Sequence, residues 1–121
     1  MWTYSQSTGA MQRPDGTLLC YGYSGFGAGK NKPALQSEPD VGPIPQGMWT
    51  IGGAFDSTFD GPLVMHLTEQ KGTVTFGRTG FMIHGDSFQH PGGASKGCII
   101  LARPERLEIS GSKDRDLKVT A

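Results

Sequence analysis

The segment FMIHGDSFQHPGGASKGCIIL, residues 81–101, carries the pattern that decides both the fold and the chemistry of this chain. Its apolar run Phe81–Ile83 predicts a short buried strand, and its other end, Cys98–Leu101, predicts a second strand or the entry from a strand into a helix. His84 follows the first run, and Cys98 opens the second. Because the 13 residues between them are rich in glycine and other turn formers, they predict a loop that lets the two side chains approach each other.

The rest of the chain predicts a mainly β fold with one short helix. The 121 residues include 19 glycines and 8 prolines, and only 18% are charged, a composition that suits many short strands joined by tight turns. Pro104–Ser110 is the predicted helix, because proline is favoured in a first helical turn and Gly111 can cap the end. The predicted strands outside the opening segment are residues 2–6, 17–23, 48–52, 63–68, 73–76 and 116–120.

Two connections between these elements are informative. Pro14–Gly16 forms a turn in which proline fixes φ and glycine accepts a positive φ, so the first two predicted strands are expected to pair as a hairpin. Residues 22–45 sustain neither a helical nor an alternating period, which predicts a long irregular loop. Loops of this length are usually functional or disordered, and the aromatic residues Tyr23 and Phe26 indicate that this one packs against the domain.

The composition bounds the domain count and excludes several classes of partner. A chain of 121 residues without an internal linker is predicted to form one domain, residues 1–121. Eleven Lys and Arg residues balance 11 Asp and Glu residues without a basic stripe, so a nucleic-acid partner is not expected. No stretch approaches the roughly 20 apolar residues of a membrane span. Residues 1–10 lack the features of a signal peptide, so we expect delivery by another route if the chain acts outside the cytoplasm.

Cys98 and His84 have the residue types of a nucleophile and its base. A free thiol has a pKa of about 8.5, so a nucleophilic cysteine needs a nearby base or cation, and an imidazole within hydrogen-bond reach supplies one. The second ring nitrogen of His84 needs an acceptor that fixes the tautomer. A backbone carbonyl of Gly85 or Asp86, or the Asp86 carboxylate, is close enough in sequence to serve. Cys20 is interpreted as a core residue, although sequence alone leaves a disulfide with Cys98 open.

The residues before Cys98 complete the predicted site. Gly97 lacks a Cβ, so the backbone can turn sharply and present the N–H groups of Gly97 and Cys98 to a developing oxyanion. Lys96 adds positive potential that would lower the pKa of the thiol. Ser95 either contacts the substrate or holds the loop, and both interpretations stay open.

His84–Gly85, followed by Ser95–Ile99, resembles the active-site signature of the L,D-transpeptidase catalytic domain. Further segments resemble the compact branch of that superfamily found among type VI secretion effectors, and together they span essentially the whole chain. They are WTYSQSTG (residues 2–9), YSGFGAGKNKP (23–33), VGPIPQGMWTIG (41–52), FGRTGFMIHGDS (76–87) and PGGASKGCIIL (91–101).

This resemblance implies an L,D-transpeptidase-like β-sandwich that works without a cofactor or metal. Cys98 would attack the carbonyl of the L-centre of the third residue in a peptidoglycan tetrapeptide stem, commonly diaminopimelate, and expel the terminal D-Ala. Water would complete L,D-carboxypeptidation, whereas a D-amino acid or a second stem would complete exchange or cross-linking. The implied protein is a monomeric antibacterial toxin, passed by a secretion apparatus into the periplasm of a target bacterium and countered by a cognate immunity protein.

The sequence departs from the cell-wall-synthesising members of the superfamily at two positions. Their signature has His before Gly-Cys and Arg or Asn two residues after the Cys, whereas this chain has Lys96 and Ile100. The carboxylate of the substrate therefore lacks its usual partner. The candidates to bind substrate are Ser95, Lys96, Arg78 and Arg103.

Two other functions stay open from the sequence. A zinc peptidase could draw ligands from His66, His84, His90, Asp86 and Cys98, but no HExxH or CxxC spacing supports one. A cell-wall-binding module could keep the fold without turnover. Alkylation of the thiol would abolish the cysteine chemistry, whereas EDTA would abolish zinc chemistry, and replacement of the cysteine would leave a binding module intact.

Overall fold

The computed structural model describes residues 1–121 and contains nine β-strands and one α-helix. The strands, β1 to β9 in chain order, are Trp2–Ser5, Ala10–Gln12, Leu18–Tyr21, Tyr23–Ser24, Gly47–Ser57, Gly61–Glu69, Met82–His84, Ile99–Ile100 and Asp116–Thr120. The helix, α1, is Arg103–Ser110, and proline stands in its first turn as the sequence predicts. The predicted mainly β fold with one short helix is confirmed. No helix has the length and apolar character that a membrane crossing requires.

All nine strands belong to one sheet, in the order β3-β2-β1-β9-β5-β6-β7-β8-β4. The two edge strands, β3 and β4, are consecutive in the chain and are separated only by Gly22. The sheet therefore curls until its edges meet, and it is nearly closed. Glycine is required at position 22, because a Cβ there would lie 2.1 Å from the carbonyl oxygen of Ile100 on β8.

The curled sheet encloses a cluster of 15 buried hydrophobic residues. Strand β9 alternates as a strand with one face on a core does, with Leu117 and Val119 buried and Lys118 exposed. Trp49 on β5 is completely buried, and its indole N–H donates to the Pro45 carbonyl at 3.1 Å. Complete burial of one large apolar side chain contributes about 1.5–3 kcal/mol, so this cluster supplies the main stabilisation of the sheet.

The predicted hairpin between the first two strands is wrong. The turn at Pro14–Gly16 joins β2 to β3, whereas β1 pairs with β2 and with β9. The sequence did not predict β2, because this strand has only three residues, of which Met11 alone is buried. A strand this short shows no alternating pattern, and its existence depends on the longer strands that flank it.

The strand predicted over residues 73–76 is also wrong, because these residues form turns and irregular backbone. Phe76 has a φ of 57°, in the left-handed region that extended structure does not use. Thr73 takes the place of a strand partner: its hydroxyl donates to the Met48 carbonyl and accepts from the Met48 N–H, both at 2.9 Å. A side chain therefore satisfies backbone groups that a neighbouring strand would otherwise satisfy.

Residues 22–45 are more ordered than the predicted irregular loop, since they contain β4 and two short 3-10 turns. Completely buried Ile44 anchors the segment. Its carbonyl accepts from the Gln6 amide at 2.8 Å, and its N–H donates to the Ser24 hydroxyl at 2.9 Å. Because Ser24 on β4 pairs with Ile99 on β8, the segment is fixed beside the strand that Cys98 precedes.

Candidate active site

His84 and Cys98 lie at adjacent strands of the sheet. Strands β7 and β8 run parallel, with Ile83 level with Ile99 and His84 level with Ile100. Ile83 and Ile99 belong to the enclosed core. Because side chains alternate along a strand, the residue next to each of these isoleucines, His84 and Cys98, faces the other side of the sheet. Neighbouring strands lie about 4.8 Å apart and residues rise about 3.3 Å along a strand, so Cys98, two residues out of register with His84, is its diagonal neighbour with roughly 8 Å between the Cα atoms.

The ring of His84 is almost fully buried, and one nitrogen is held in place. Its Nδ1 lies 2.8 Å from the carbonyl oxygen of Gly85, which is one of the three acceptors that the sequence offered. A carbonyl oxygen can only accept, so Nδ1 carries a hydrogen, and in the neutral imidazole the lone pair is therefore on Nε2. The ring nitrogen that can accept a proton as a base is therefore Nε2.

The thiol of Cys98 is 8% exposed and points to a backbone acceptor. Its Sγ donates to the Gly80 carbonyl at 3.6 Å, and no hydrogen bond joins it to His84. Burial raises the pKa of Cys98 to about 11; the charge of Asp60 also raises it, whereas a backbone hydrogen bond from Met82 and the charge of Arg78 act to lower it. The resting thiol is consequently neutral near pH 7, and the direct contact expected with the imidazole is absent in this state.

Ser95 builds the turn that precedes Cys98. Its completely buried hydroxyl donates to the Cys98 carbonyl at 2.6 Å and accepts from the N–H groups of Gly97 and Gly25, at 3.1 and 2.9 Å. The interpretation that Ser95 contacts substrate is therefore wrong, because it lies inside the protein. The expected pair of oxyanion donors is corrected as well: the Gly97 N–H is occupied, whereas the Cys98 N–H donates no hydrogen bond within the protein.

Arg78 also stabilises the turn that precedes Cys98. Its guanidinium donates to the carbonyls of Lys96 at 3.2 Å, Gly42 at 2.9 Å and Pro43 at 2.8 Å, and also to Gln36. Both terminal nitrogens thus donate to backbone carbonyls, and binding of the substrate carboxylate by Arg78 stays a prediction. Burial lowers its pKa, against the charges of Asp40 and Cys98, yet an arginine keeps its proton and its charge.

Gly97 packs directly against this arginine. Its φ is 132°, in the region that side chains rarely adopt, and a Cβ would lie 2.5 Å from the Arg78 Nη2. Glycine is therefore required for a close approach as well as for the sharp turn that the sequence predicts. Arg78 and Gly97 together fix the path of the backbone into Cys98.

The two remaining cations suggested by the sequence are exposed. Lys96 precedes Gly97 on the outside of the turn, and Arg103 is the first residue of α1. The charge of Arg78 acts to lower the pKa of Cys98, and the same role for Lys96 stays a prediction. Lys96 makes no hydrogen bond or ion pair through its side chain, which leaves it free for a ligand.

Asp86 organises a loop and does not orient His84. Its carboxylate accepts from the Tyr23 hydroxyl at 2.6 Å and from the N–H groups of Ser87 and Gly92, at 2.8 and 3.0 Å. Burial acts to raise the pKa of Asp86, but these hydrogen bonds outweigh it and the pKa is lowered. The catalytic role suggested for Asp86 is therefore replaced by a structural one, in which it ties residues 86–92 to Tyr23.

Asp60 is a carboxylate at this site that the sequence analysis missed. Its Oδ1 lies 3.9 Å from His84 Nε2. Asp60 stands at the tip of the β5–β6 hairpin, where the Ser57 hydroxyl donates to its other carboxylate oxygen at 3.3 Å. Two register shifts interrupt this hairpin, one of them just before Ser57, and such bulges bend strands. Local sequence predicts only a turn there, so no motif links Asp60 to His84.

Arg106 is a second residue that the sequence analysis missed. It is buried on α1, and its guanidinium packs on Gly85 so closely that a Cβ on this glycine would lie 2.9 Å away. It also donates to the carbonyls of Pro62 at 3.2 Å and Leu63 at 3.4 Å. Arg106 thereby links the helix and β6 to the peptide whose carbonyl holds His84. Gly85 cannot be replaced without moving this arginine.

The other two histidines make no hydrogen bond to His84 or Cys98, although His66 on β6 is level with Met82 on β7. His66 stacks on Phe55 with ring centroids 4.6 Å apart, and His90 is exposed. No group of three or more His, Cys, Asp or Glu side chains converges as metal ligands do. The five residues considered as zinc ligands therefore do not form a common set. Both cysteines are free thiols, so the disulfide that the sequence left open is not formed.

The chain is thus a nearly closed, mainly β domain that places a histidine and a glycine-preceded cysteine at adjacent parallel strands. The family model described as the Tlde1 domain matches residues 19–120. The chain belongs to this family, whose members are L,D-transpeptidase-like type VI secretion effectors. Comparison with curated proteins and with solved structures gave no match.

Proposed function

We propose that this protein is a cysteine enzyme that removes the terminal D-Ala from peptidoglycan tetrapeptide stems, with Cys98 as nucleophile and His84 as base. The observation that carries the proposal is the Nδ1 hydrogen bond of His84 to the Gly85 carbonyl. It leaves Nε2 basic, on the side of the sheet where Cys98 also lies. Membership of the Tlde1 family supports the cell wall as target.

The first step transfers the stem to sulfur. The thiol leaves the Gly80 carbonyl and turns to His84, whose Nε2 takes the proton as Sγ bonds to the carbonyl carbon of the third stem residue. The carbonyl electron pair moves to oxygen, and the free N–H of Cys98 donates to this oxyanion. When the C–N bond breaks, the pair returns to the carbonyl and His84 gives the proton to the departing D-Ala nitrogen. A thioester remains on Cys98.

The second step releases the stem. An incoming water or amine loses a proton to His84 Nε2 and attacks the thioester carbon, and the C–S bond then breaks with return of the proton to sulfur. Water gives the tripeptide stem and completes L,D-carboxypeptidation. A D-amino acid gives a stem with a new terminal residue, and a second stem gives a cross-link. The same two residues therefore serve hydrolysis and exchange.

Burial of the thiol determines how the proton moves. With a pKa of about 11, Cys98 holds very little thiolate at neutral pH, so the resting nucleophile is a neutral thiol. His84 must therefore remove the proton during attack. Asp60, 3.9 Å from Nε2, stabilises the imidazolium that forms in that step. This carboxylate raises the pKa of the thiol in the resting state and favours the charged base during the reaction.

Membership of the Tlde1 family supports the following biological setting for this activity. As a type VI secretion effector, the protein is made in one bacterium and passed by the secretion apparatus into the periplasm of another, where the stems are accessible. A cognate immunity protein protects the producing population. Toxicity is expected to require periplasmic location, because the tetrapeptide stems of the mature wall are outside the cytoplasm.

Muropeptide analysis tests the proposed activity. The reduced protein is incubated with tetrapeptide muropeptides, with and without added D-methionine, and the products are identified by mass spectrometry. Wild type is expected to produce tripeptides and D-methionine-terminated stems, Cys98→Ala neither, and the matched control Cys20→Ala both. The absence of both products with wild type would contradict the proposal.

Two additions to this experiment separate the other functions. EDTA is expected to leave turnover unchanged and iodoacetamide to abolish it; the reverse pattern would identify zinc chemistry. Periplasmic expression of Cys98→Ala is expected to be harmless. A cell-wall-binding module would instead remain toxic and would still sediment with purified sacculi after this substitution.

A further inference from the structure

We propose that a cavity of about 220 Å³ at the turn that precedes Cys98 is a subsite for an amino-acid head group, that is, an ammonium and a carboxylate on one carbon. This inference rests on the proposed function and adds how the substrate is recognised. The cavity is lined by Pro39, Asp40, Gly77, Arg78, Thr79 and Lys96. It is smaller than the roughly 300–1,000 Å³ of sites for drug-sized ligands, as suits a head group alone.

The cavity shares its walls with the segments that hold the nucleophile. Lys96 lies two residues before Cys98, and its carbonyl accepts from the Arg78 guanidinium at 3.2 Å. Thr79 precedes Gly80, whose carbonyl accepts from the Cys98 thiol at 3.6 Å. A ligand in the cavity therefore lies next to the turn that would carry the reacting acyl group.

The cavity is lined by side chains of opposite charge that have no ion-pair partner within the protein. Asp40 and Lys96 both line it, yet neither side chain makes an ion pair or hydrogen bond within the protein. The Arg78 guanidinium contributes a further positive charge, although its terminal nitrogens are occupied. Lys96 is thus available to a carboxylate and Asp40 to an ammonium, and both are stronger partners than neutral groups.

The lining favours a zwitterionic ligand over other classes. It contains no large apolar side chain, so a hydrophobic group would gain little there. A ligand with a single negative charge would leave the Asp40 carboxylate facing it, and a simple amine would face Lys96 and Arg78. A zwitterionic head group satisfies both signs at once.

Two parts of the reaction carry this head group. One is the free side-chain end of diaminopimelate at the third position of the stem, and the other is the D-amino acid that enters in exchange. Stems with lysine at the third position distinguish the two, because lysine has the ammonium and lacks the carboxylate.

Kinetics with Lys96→Gln and Asp40→Asn test the subsite, with Lys71→Gln and Asp15→Asn as matched controls that make the same charge changes at residues that do not line the cavity. Loss of a charged hydrogen bond is expected to weaken binding about tenfold or more. If the stem occupies the cavity, both variants raise KM for diaminopimelate stems, and Lys96→Gln leaves KM for lysine stems unchanged. If the acceptor occupies it, the variants raise the D-methionine concentration for half-maximal exchange and leave hydrolysis unchanged.

Binding to the Cys98→Ala protein tests the subsite without turnover. Free diaminopimelate and D-alanine are titrated while amide shifts of Asp40, Thr79 and Lys96 are followed by NMR. Shifts that saturate with either compound, and that are lost in Lys96→Gln, support the subsite even if wild type proves inactive. No saturable shift with either compound, together with kinetics within twofold of the matched controls, would overturn it.

Discussion

The two cysteines of this protein have similar acidities and different surroundings. Burial raises the pKa of Cys20 and of Cys98 to about 11, so neither thiol is ionised at rest. Cys20 is half-buried on β3, where the charge of Glu105 raises its pKa further and that of Arg13 opposes this. Cys98 instead follows a glycine turn and lies on the side of the sheet that carries His84. Acidity does not distinguish the two thiols, whereas the neighbouring base and the turn do.

The largest expected difference between the two cysteines is in turnover. Cys98→Ala is expected to reduce D-Ala release by about 10⁴-fold or more, because the residue forms the acyl-enzyme. Cys20→Ala is expected to remain within a few-fold of wild type. The measurement is the rate of tripeptide formation from tetrapeptide muropeptides. Equal losses in the two variants would remove the distinction on which the mechanism depends.

Removal of the base should have the next largest effect. His84→Gln keeps a hydrogen-bonding side chain but has no basic nitrogen, so kcat is expected to fall by about 10²–10⁴-fold. Circular dichroism and thermal unfolding would show whether the fold is retained, with His66→Gln as the matched control. A His84→Gln protein that turns over as fast as the control would exclude His84 as the base.

The turns associated with the two cysteines are expected to differ in their tolerance of a methyl group. In Gly97→Ala the Cβ would lie 2.5 Å from Arg78, with φ at 132°, so we expect a loss of about 2–4 kcal/mol in the free energy of unfolding. Gly16→Ala, in the turn before β3, has open space at φ 89°, so only backbone strain of about 1 kcal/mol is expected. Urea unfolding measures both. Equal losses would show that contact with Arg78 does not constrain the turn.

The smallest expected effect is that of the Asp60 charge, which should change the pKa of Cys98 and leave that of Cys20 unchanged. Asp60 raises the pKa of Cys98, so Asp60→Asn is expected to lower it and to speed iodoacetamide alkylation of Cys98 several-fold at fixed pH. Alkylation is measured in a Cys20→Ala background, and for Cys20 in a Cys98→Ala background, where Asp60→Asn should change nothing. Because the pKa of Cys98 is raised to about 11, its alkylation rate should rise about tenfold per pH unit from 7 to 9. A plateau near pH 7 would indicate a preformed thiolate.

The sequence predicted the parts of this structure that depend on local pattern. The mainly β fold and the helix follow from strand-like runs and from Pro104 and Gly111, and the adjacency of β7 and β8 follows from two apolar runs joined by a glycine-rich loop. The strand at 73–76 failed because Thr73 bonds to a distant backbone and Phe76 takes a left-handed conformation. Tertiary contacts decided these residues against their local preference.

The remaining parts of the site depend on contacts between distant segments. Asp60 reaches His84 only because the β5–β6 hairpin bends, and Arg106 reaches Gly85 only because α1 packs beside β6. The sequence also makes Arg78 and Ser95 candidates to bind substrate. In the structure both side chains donate hydrogen bonds to the backbone of the turn around Cys98. Residue type alone does not show whether the donors of a side chain are free to bind substrate or are already bonded to the backbone.

The central claim is that Cys98 carries the stem as a thioester, and intact-protein mass spectrometry of an acid-quenched reaction tests it most directly. Wild type mixed with tetrapeptide muropeptide is expected to show an adduct of the tripeptide acyl group that maps to Cys98 and disappears on addition of hydroxylamine. Cys20→Ala should show the same adduct, and Cys98→Ala none. Release of D-Ala by Cys98→Ala at the wild-type rate, with no adduct on either protein, would contradict the mechanism.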